Sequence, residues 1–298
     1  MKIAIFGGTG FIGSAWIQHA LQNGDEVVLF TRRPDQISWS DHKSVTVRGW
    51  PLDDTLEVDG VINLAGETIN QRWTVAAKER ILESRINTTS RIVSEIQQGR
   101  LRTGVLINGS AVGYYGNSLE STFSEEDRVL RDQTDFLGKV TDVWESEAEK
   151  VLDSGVRLVK ARFGVVLGRE GGAFPRMVLP YRLFAGGPIG DGKQWVSWIH
   201  IMDVVRLLDF CLRNDVAGPV NFTATEPCTM NELGKTISAA LNRPHWVPLP
   251  SFVLKGLLGE MSDLILKGQK VVPRKAMDQG FSFRFPNIRG AVDQILKE

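Results

Sequence analysis

Hydrophobic residues in the first half of the chain form short runs that alternate with longer stretches at helical spacing. Residues 2–6 are a short apolar run, and residues 11–22 then carry apolar side chains at the helical period before Asn23-Gly24. Further apolar runs predict buried strands at residues 27–31, 45–47, 61–64, 104–108 and 157–162. Helical spacing predicts long helices at residues 74–98 and 135–153, the second stopping at Gly155.

This alternation predicts an α/β fold with a doubly wound parallel sheet, which binds ligands at the carboxyl ends of its strands. Residues 35–44, between the second and third predicted strands, have little helical pattern, so we expect this connection to be a loop. Gly and Pro become frequent from about Gly168, which indicates a smaller lobe with loops over the cleft. We therefore predict a nucleotide-binding domain at residues 1–167, to which residues 196–225 return, and a substrate lobe at residues 168–298.

The C-terminal part carries two further apolar patterns. One helical face collects Val253, Leu254, Leu257, Leu258, Met261, Leu264 and Ile265. Such a stripe suits a membrane or partner surface, but packing against its own lobe is more common. Phe281, Phe283 and Phe285 alternate as on a half-buried strand.

Composition narrows the class of partner. The chain of 298 residues has 35 basic residues (Lys and Arg) and 35 acidic residues (Asp and Glu). No overall electrostatic field therefore favours nucleic acid or an anionic membrane, although equal totals do not exclude a local basic patch. No apolar run is long enough to span a bilayer. The two cysteines cannot form a disulfide framework, and the chain begins in a strand without a basic leader. We expect a cytoplasmic protein with a small-molecule substrate and no nucleic-acid or membrane partner.

The glycines between the first strand and helix have the spacing of a dinucleotide-binding turn. The sequence there is Gly7-Gly8-Thr9-Gly10-Phe11-Ile12-Gly13. Glycine lets the backbone approach a pyrophosphate, and the helix N-terminus offers free N–H groups and partial positive charge. This context predicts a Rossmann fold with Gly7, Thr9, Gly10, Phe11 and Ile12 at the cofactor, and the alternative is a glycine-rich turn without a ligand.

The end of the second strand indicates which dinucleotide binds. NAD enzymes usually place an acid there, whereas this chain has Thr31-Arg32-Arg33. Arg32 can form a forked, charge-assisted contact with a 2′-phosphate, so we predict NADP(H) with Thr31 and Arg32 at the cofactor. The alternative is that the arginines are solvated at a loop. Leu64, Ala65 and Gly66 are expected beside the adenosine and ribose, although a plain strand-to-helix turn explains Gly66 equally well.

Several stretches resemble the extended short-chain dehydrogenase/reductase superfamily, and in particular its sugar-nucleotide epimerase-like branch. They include GGTGFIG at 7–13, INLAGE at 62–67, QRWT at 71–74, SRINTT at 84–89, GSAVGYYG at 109–116, WESEAEK at 144–150, ARFGVVLG at 161–168, AGGPIGDGKQ at 185–194, SWIHIMDVV at 197–205 and GQKVVPRKAMDQGFSF at 268–283. The resemblance implies a family-specific C-terminal domain at about residues 245–295. It also implies that Arg85 and Val166 contact the cofactor, and it allows a homodimer.

In that superfamily a Tyr-x-x-x-Lys pair moves the proton while hydride passes at the nicotinamide. Counting back from Glu145, the tyrosine position falls at Phe136 or Leu137 and the lysine position at Val140 or Thr141. Both functional groups are missing. Lys139 is one or two positions away on a helix and therefore points to a different face.

A Ser or Thr at the end of the preceding strand completes the superfamily's acid–base group. Ser110 matches it, although a shift of one residue would put Ala111 there instead. Tyr115, or its neighbour Tyr114, could donate the proton in place of the missing tyrosine. The alternative is that both tyrosines pack beneath the cofactor or line the pocket. Ser110 and Tyr115 are our predicted catalytic residues.

Loops that the family places at the cleft contain Arg72, Trp73, Trp195, Trp198 and His200. We predict Arg72, Trp73, Trp198 and His200 as substrate contacts, while a structural His200 bonded to the backbone is the more common case. The other histidines lack ligand partners at metal spacing, so we predict no metal. Two functions fit: an NADP(H)-dependent oxidoreductase or epimerase acting on a small polar or sugar-nucleotide-like substrate, or a dinucleotide-binding sensor or scaffold without a reaction.

Overall fold

The computed structural model describes residues 1–33, 39, 42–127 and 136–297. The strands are β1 Lys2–Phe6, β2 Glu26–Phe30, β3 Val45–Arg48, β4 Leu56–Glu57, β5 Gly60–Asn63, β6 Leu101–Arg102, β7 Val105–Ala111, β8 Thr122–Phe123, β9 Arg157–Phe163, β10 Val165–Leu167, β11 Trp195–Val196, β12 Trp198–His200, β13 Gly218–Phe222, β14 Cys228–Thr229 and β15 Lys270–Val271. The α-helices are α1 Phe11–Gln22, α2 Val75–Gln97, α3 Phe136–Glu149, α4 Phe174–Arg182, α5 Ile201–Arg213, α6 Met230–Leu241, α7 Ser251–Leu258, α8 Asp263–Leu266, α9 Arg274–Asp278 and α10 Ile288–Lys297.

Seven strands form one parallel sheet in the order β13-β9-β7-β5-β1-β2-β3. The order reverses at β1, between β5 and β2, which creates the crevice where such sheets bind ligands. The predicted α/β doubly wound fold is confirmed. The segment that we expected to return to the first domain supplies β12, α5 and the edge strand β13.

The sheet is covered by helices on both faces because its strands are apolar on both sides. On β1, Ile3 and Ile5 pack with Trp16 of α1 and Leu208 of α5, whereas Ala4 and Phe6 belong to the opposite core, with residues of α2 and α3. Successive strand side chains point to opposite faces, which is why a continuous apolar run forms a strand buried on both sides.

The smaller lobe has its own core. It joins α4, α6 and α10 through Val178, Leu233, Ile237, Val292 and Ile295. The Thr229 side chain caps α6 and Glu232 completes a capping box, so this helix begins where its sequence specifies.

Two C-terminal expectations need correction. Phe281, Phe283 and Phe285 are more buried than the two exposed residues between them, as predicted, but this segment does not form a strand. The buried Asp203 carboxylate instead accepts the backbone N–H groups of Arg284 and Phe285, both at 2.9 Å, so a side chain substitutes for a neighbouring strand.

The predicted apolar stripe at residues 253–265 is interrupted. Gly259 has a φ of +59°, which ends α7, and a 3-10 turn then leads into α8. Met261 and Leu264 pack on the nucleotide-binding domain. Among the described residues, none of the helices has both the length and the apolar character needed to cross a bilayer.

Most predicted boundaries agree with the structure to within about three residues. Parts of the predicted loop at 35–44, and the predicted helix start at residue 135, lie outside the described residues. The second predicted long helix ends as α at Glu149 and continues as a 3-10 turn to Gly155, whose φ is +70°. Left-handed glycine is a common helix stop, which explains the accuracy of that prediction.

Candidate functional site

The turn after β1 requires glycine at two positions. Gly7 has a φ of +79°, and a Cβ there would lie 2.6 Å from the carbonyl carbon of Leu64. A Cβ on Gly13 would lie 2.4 Å from the carbonyl oxygen of Gly7. The turn is therefore pressed against both the neighbouring strand end and its own helix. Such packing leaves the backbone on the outer side of the turn close to any bound phosphate.

The N-terminus of α1 suits an anion. Gly10 is the N-cap residue, no side chain caps the helix, and its first turn contains no acidic residue. The first N–H groups of a helix have no partner within it, and the helix dipole favours negative charge there. The residues present thus fit a dinucleotide pyrophosphate.

A glycine-rich loop of the second lobe closes over this helix start. Cβ atoms built on Gly168 and Gly171 would lie 2.6 Å from the Phe11 ring, and one on Gly172 would lie 2.8 Å from the Val166 carbonyl oxygen. The structure therefore brings together Phe11 and Val166, which are far apart in sequence. Both were predicted to contact the cofactor.

Arg32 lies at the end of β2 and is exposed. Its neighbour Thr31 donates its backbone N–H to the Arg48 carbonyl at 3.1 Å, which ties the strand end to β3. The Thr31 hydroxyl accepts the backbone N–H of Arg33 at 3.2 Å. A cation at the end of β2, the strand next to β1 and its glycine turn, has the charge that a 2′-phosphate needs.

The turn after β5 is held by a buried amide. Asn63 donates to the Asn108 side chain at 2.7 Å and to the Thr89 hydroxyl at 3.0 Å, and its own oxygen accepts the Ala65 N–H at 3.2 Å. This fixes the backbone that leads into Gly66. Sequence reasoning overlooked Asn63 as a positioning residue. A buried amide at the end of an apolar strand was the signal that could have found it.

Arg85 lies beneath Gly66. Its Nη1 donates to the carbonyls of Glu67 and Ile81 at 3.0 and 2.9 Å, and its guanidinium carbon is 5.0 Å from the centre of the Trp144 ring. Burial lowers the pKa of Arg85 to about 10, and the nearby Glu67 opposes that shift. The predicted cofactor residues Gly66 and Arg85 are thus neighbours, next to the turn that Asn63 fixes.

Ser110 belongs to a buried ionic network. Its hydroxyl donates to Glu145 Oε1 at 2.7 Å, and Arg162 donates to both Glu145 oxygens at 2.8 Å. Lys160 Nζ is 3.2 Å from Oε2 of the same carboxylate. Burial alone would raise the pKa of Glu145, but the hydrogen bonds and charge of Arg162 outweigh it and hold the pKa below its usual value. The network fastens α3 to β7 and β9.

Tyr115 belongs to the same network. Its hydroxyl donates to Asn221 Oδ1 at 2.8 Å and accepts from Arg162 Nη1 at 2.9 Å, and the side chain is fully buried. Burial raises the pKa of Tyr115 to about 12, against the opposing effect of Arg162. Tyr114 packs its ring 3.4 Å below the Arg162 guanidinium carbon. Because the Tyr115 hydroxyl is buried and bonded to Asn221 and Arg162, it is not placed to donate a proton to a substrate.

The geometry also decides between Ser110 and Ala111. Ser110 is 3% exposed and its hydrogen is committed to Glu145, whereas Ala111 is half-buried at the end of β7. Adjacent strand residues face opposite sides of a sheet. Ser110 thus faces the Glu145 side, and Ala111 has no hydroxyl to offer a substrate.

Neither missing group of the acid–base pair is replaced on α3. Phe136 and Leu137 are half-buried, Val140 is buried, and the buried Thr141 bonds within its own helix. Lys139 is exposed. Its displacement from the catalytic face follows from helical geometry, as expected.

The predicted substrate residues separate into two places. Trp198 is fully buried and its indole N–H donates to the Glu226 carbonyl at 3.0 Å. His200 caps α5 by accepting the Met202 N–H at 3.1 Å, and it is 1% exposed. Trp198 and His200 therefore do not line an accessible surface, which corrects that prediction. The predicted alternative, a structural histidine bonded to the backbone, describes His200.

Arg72 and Trp73 precede α2, near the turn after β5. Arg72 is exposed, and the Trp73 indole N–H donates to the Ile69 carbonyl at 3.0 Å. Trp195, on the edge strand β11, donates to the Leu119 carbonyl at 2.8 Å. Across the described ranges, no three His, Cys, Asp or Glu side chains come together as metal ligands.

Glu145, Arg162 and Asn221 also escaped sequence reasoning as a positioning network. The signal was available, since Arg162 is a charged residue at the end of an apolar strand, and a buried charge requires a partner. The partner's identity was not readable, because it lies 17 residues away on a helix and depends on packing.

Known proteins extend this description. The family model described as "NAD dependent epimerase/dehydratase family" matches residues 3–223, and "Domain of unknown function (DUF1731)" matches residues 249–295. The Epimerase family protein YfhF of Bacillus subtilis is 42% identical, with 100% of this chain and 99% of that protein covered. The Epimerase family protein SERP0438 of Staphylococcus epidermidis is 39% identical over 99% of both chains.

Solved structures agree with the fold. The human epimerase family protein SDR39U1, crystallised with NADPH, matches at a TM-score of 0.89 and 35% identity over 100% of both chains. MoeE5 in complex with UDP-glucuronic acid and NAD matches at a TM-score of 0.78 and 20% identity, over 100% of this chain and 98% of that one. The second likeness is one of fold alone.

Proposed function

Because this chain belongs to the NAD dependent epimerase/dehydratase family, we propose that it binds NADP(H) and acts on a small molecule as an oxidoreductase or epimerase. The observation that carries the proposal is the glycine turn between β1 and α1. Gly7 packs against the backbone of Leu64 and Gly13 against the backbone of Gly7, and no side chain caps the N-terminus of α1, where the pyrophosphate would bind. The human neighbour SDR39U1, which was crystallised with NADPH, supports the same cofactor.

Each part of the site has a task in this proposal. The N-terminus of α1 holds the pyrophosphate, and Arg32 pairs with the 2′-phosphate. The turn of Leu64 to Gly66, fixed by Asn63, follows the ribose. NADPH would supply the hydride when bound, and the residues at the carboxyl edge of the sheet would hold it there and limit access of water.

The choice of NADP(H) over NAD(H) is tested at Arg32. Arg32→Asp removes the cation and adds a carboxylate beside the 2′-phosphate, and we expect the preference for NADPH over NADH to fall by about 10- to 100-fold, since charge-assisted contacts are worth about 1.5–3 kcal/mol. Calorimetric titration of both cofactors measures the ratio.

Arg102 is exposed at the end of β6 and serves as the matched control. Arg102→Asp makes the same charge change away from the site and should leave the ratio within two-fold of wild type. An unchanged ratio in Arg32→Asp would remove Arg32 from the cofactor site.

A second function is favoured by one observation: neither a tyrosine nor a lysine occupies the expected positions of the acid–base pair on α3. In that case the chain is a dinucleotide-binding sensor or scaffold. It would bind NADPH with a thermal shift and show no turnover, and detectable hydride transfer to any substrate would exclude it. A cytoplasmic location and a homodimer are further parts of the proposal, to be checked by fractionation and sedimentation.

A further inference from the structure

The turn after β7 and the start of α3 meet at the edge of the sheet where this fold binds ligands. A Cβ on Gly113, in that turn, would lie 3.3 Å from the Leu137 Cβ. The Thr141 hydroxyl lies 2.8 Å from the Gly138 carbonyl and donates within its own helix. Leu137 is therefore the α3 side chain next to the strand end, and it has no proton to exchange.

Around Leu137 lies a set of apolar side chains from three segments, which we call the apolar wall. Its members are Ile69, Trp73, Phe136, Leu137, Met261 and Leu264. Ile69 and Trp73 follow β5. Phe136 and Leu137 start α3, and Met261 and Leu264 come from the C-terminal region. β5 and β7 are neighbours in the sheet, so the wall spans two adjacent strand ends.

The wall's own side chains have little hydrogen-bonding capacity, and the Lys78 ammonium that lies 5.4 Å from the Phe136 ring centre is paired with Glu260. The only side-chain N–H in it, that of Trp73, already donates to the Ile69 carbonyl, and the Trp73 ring meets the Phe136 ring edge-on at 5.1 Å. Trp73 is 9% exposed, while Ile69, Phe136, Leu137, Met261 and Leu264 are half-buried. The half-buried members keep part of their apolar surface available for contact.

Building on the proposed NADP(H) site, we propose that the apolar wall binds a flat, apolar, conjugated carbonyl compound, of the aryl enone class, and not a sugar nucleotide. Hydroxyl groups of a sugar would lose water against the wall's side chains and gain no hydrogen bond from them, which is unfavourable, whereas an aryl ring gains apolar contact. Aromatic rings also pack edge-on with Trp73 and Phe136 at little cost in conformational freedom.

The chemistry of an enone also suits the missing acid–base pair. Reducing a ketone to an alcohol needs a proton at oxygen, which the superfamily takes from tyrosine. In an enone the β carbon would form its new C–H bond with the hydride that NADPH would supply at the proposed site. The C=C π pair moves to the α carbon, which takes a proton from water and leaves hydroxide. The products are the saturated ketone and NADP⁺, so no protein side chain has to lose or gain a proton.

Binding is the first test. Calorimetry with 4-phenylbut-3-en-2-one and with UDP-glucuronic acid, each titrated into protein saturated with NADP⁺, compares the two ligand classes. We expect the enone to bind and the sugar nucleotide to bind at least tenfold more weakly. Cys211 and Cys228 do not interfere by alkylation, because both are buried and burial raises their pKa values to about 12.

Variants then assign the binding to the wall. Leu137→Gln and Met261→Gln should each weaken enone binding at least tenfold and leave the NADP⁺ dissociation constant within two-fold. Leu179→Gln is the matched control, because Leu179 lies on α4 and is 54% exposed. It should change neither constant. Circular dichroism melting shows whether the variants are folded. If Leu137→Gln does not fold, Met261→Gln still tests the contribution of the wall to enone binding.

The outcomes separate this inference from the proposed function. Stronger binding of UDP-glucuronic acid, binding of neither ligand, or enone binding unaffected by both wall variants would overturn the inference while NADP⁺ still binds. If NADP⁺ does not bind, the proposed function fails. The same titration without NADP⁺ then tests the wall alone. Oxidation of NADPH with the enone, lowered in the two wall variants, adds an independent readout.

Discussion

The turn after β1 and the turn after β7 lie at the same edge of the sheet but offer a ligand different chemistry. The first presents glycine backbone and an uncapped helix N-terminus. At the second, Ser110 and Tyr115 are bonded into a buried network, and Phe136 and Leu137 occupy the two positions at which a tyrosine is expected. One edge of a fold can thus keep its means of holding a dinucleotide while the acid–base group beside it is absent. Dinucleotide binding and catalysis can therefore be tested separately on this scaffold.

The difference also concerns how each region is stabilised. The β1 turn depends on backbone conformation, which a single Cβ disturbs. The β7 region depends on buried charges, whose removal leaves an uncompensated partner. Substitutions in the two regions should therefore affect different quantities, cofactor affinity in one and the free energy of unfolding in the other.

The largest expected effect on NADPH affinity is at Gly7. Gly7→Ala would place a Cβ 2.6 Å from the Leu64 carbonyl carbon at a φ of +79°, so the turn must shift. We expect NADPH binding to weaken by about 100-fold, equivalent to about 2.7 kcal/mol, measured by fluorescence titration. Gly24→Ala is the control, since Gly24 has a φ of +75° with open space around it. It should cost about 1–2 kcal/mol of stability and leave affinity unchanged. Equal effects of both variants on affinity would contradict the proposed turn.

Glu145 should dominate the stability of the other region. Glu145→Gln leaves the buried Arg162 without its counter-charge, and we expect the free energy of unfolding to fall by about 3–5 kcal/mol in urea titrations. Glu147→Gln on the same helix removes a surface pair with Lys150, which is 58% exposed, and should cost less than about 1 kcal/mol. A small loss in Glu145→Gln would show that the network contributes little.

The pH dependence of stability follows from the same carboxylate. Because the folded state holds the pKa of Glu145 below its usual value, its contribution is present above the unfolded carboxyl pKa of about 4.3 and is lost as pH falls through the folded pKa. The stability difference between wild type and Glu145→Gln should therefore shrink between pH 7 and pH 3 in urea titrations. A difference that is constant over that range would argue against an ionic role.

Tyr115 should show a smaller effect on stability and none on the cofactor. Tyr115→Phe removes the hydroxyl between Asn221 and Arg162, and we expect a loss of about 1–3 kcal/mol, because buried partners lose a hydrogen bond. NADPH affinity and any turnover should stay within two-fold of wild type. Tyr181→Phe, which removes a buried hydroxyl bonded to His245, gives the matched comparison. Loss of turnover in Tyr115→Phe with unchanged stability would restore Tyr115 as the proton donor.

The sequence alone determined the order of elements and the dinucleotide turn. Both depend on local information, namely the period of apolar residues and glycines at fixed spacing. The C-terminal region was less readable. The alternation of Phe281 to Phe285 has the period of a strand. However, the backbone N–H groups of Arg284 and Phe285 donate to the Asp203 carboxylate, which lies 81 and 82 residues earlier in the sequence.

Tertiary structure decided what the candidate catalytic residues do. Whether Ser110 faces the cleft or Glu145 depends on which side of the sheet α3 covers, and the burial of Tyr115 depends on Asn221, 106 residues away. Local spacing carries no information on such contacts, because strand order and helix packing are set by the whole core. The sequence thus specified a place for the dinucleotide and the absence of the Tyr/Lys pair, whereas only the folded chain assigned Ser110 and Tyr115 to a buried network and brought the side chains of the apolar wall together beside it.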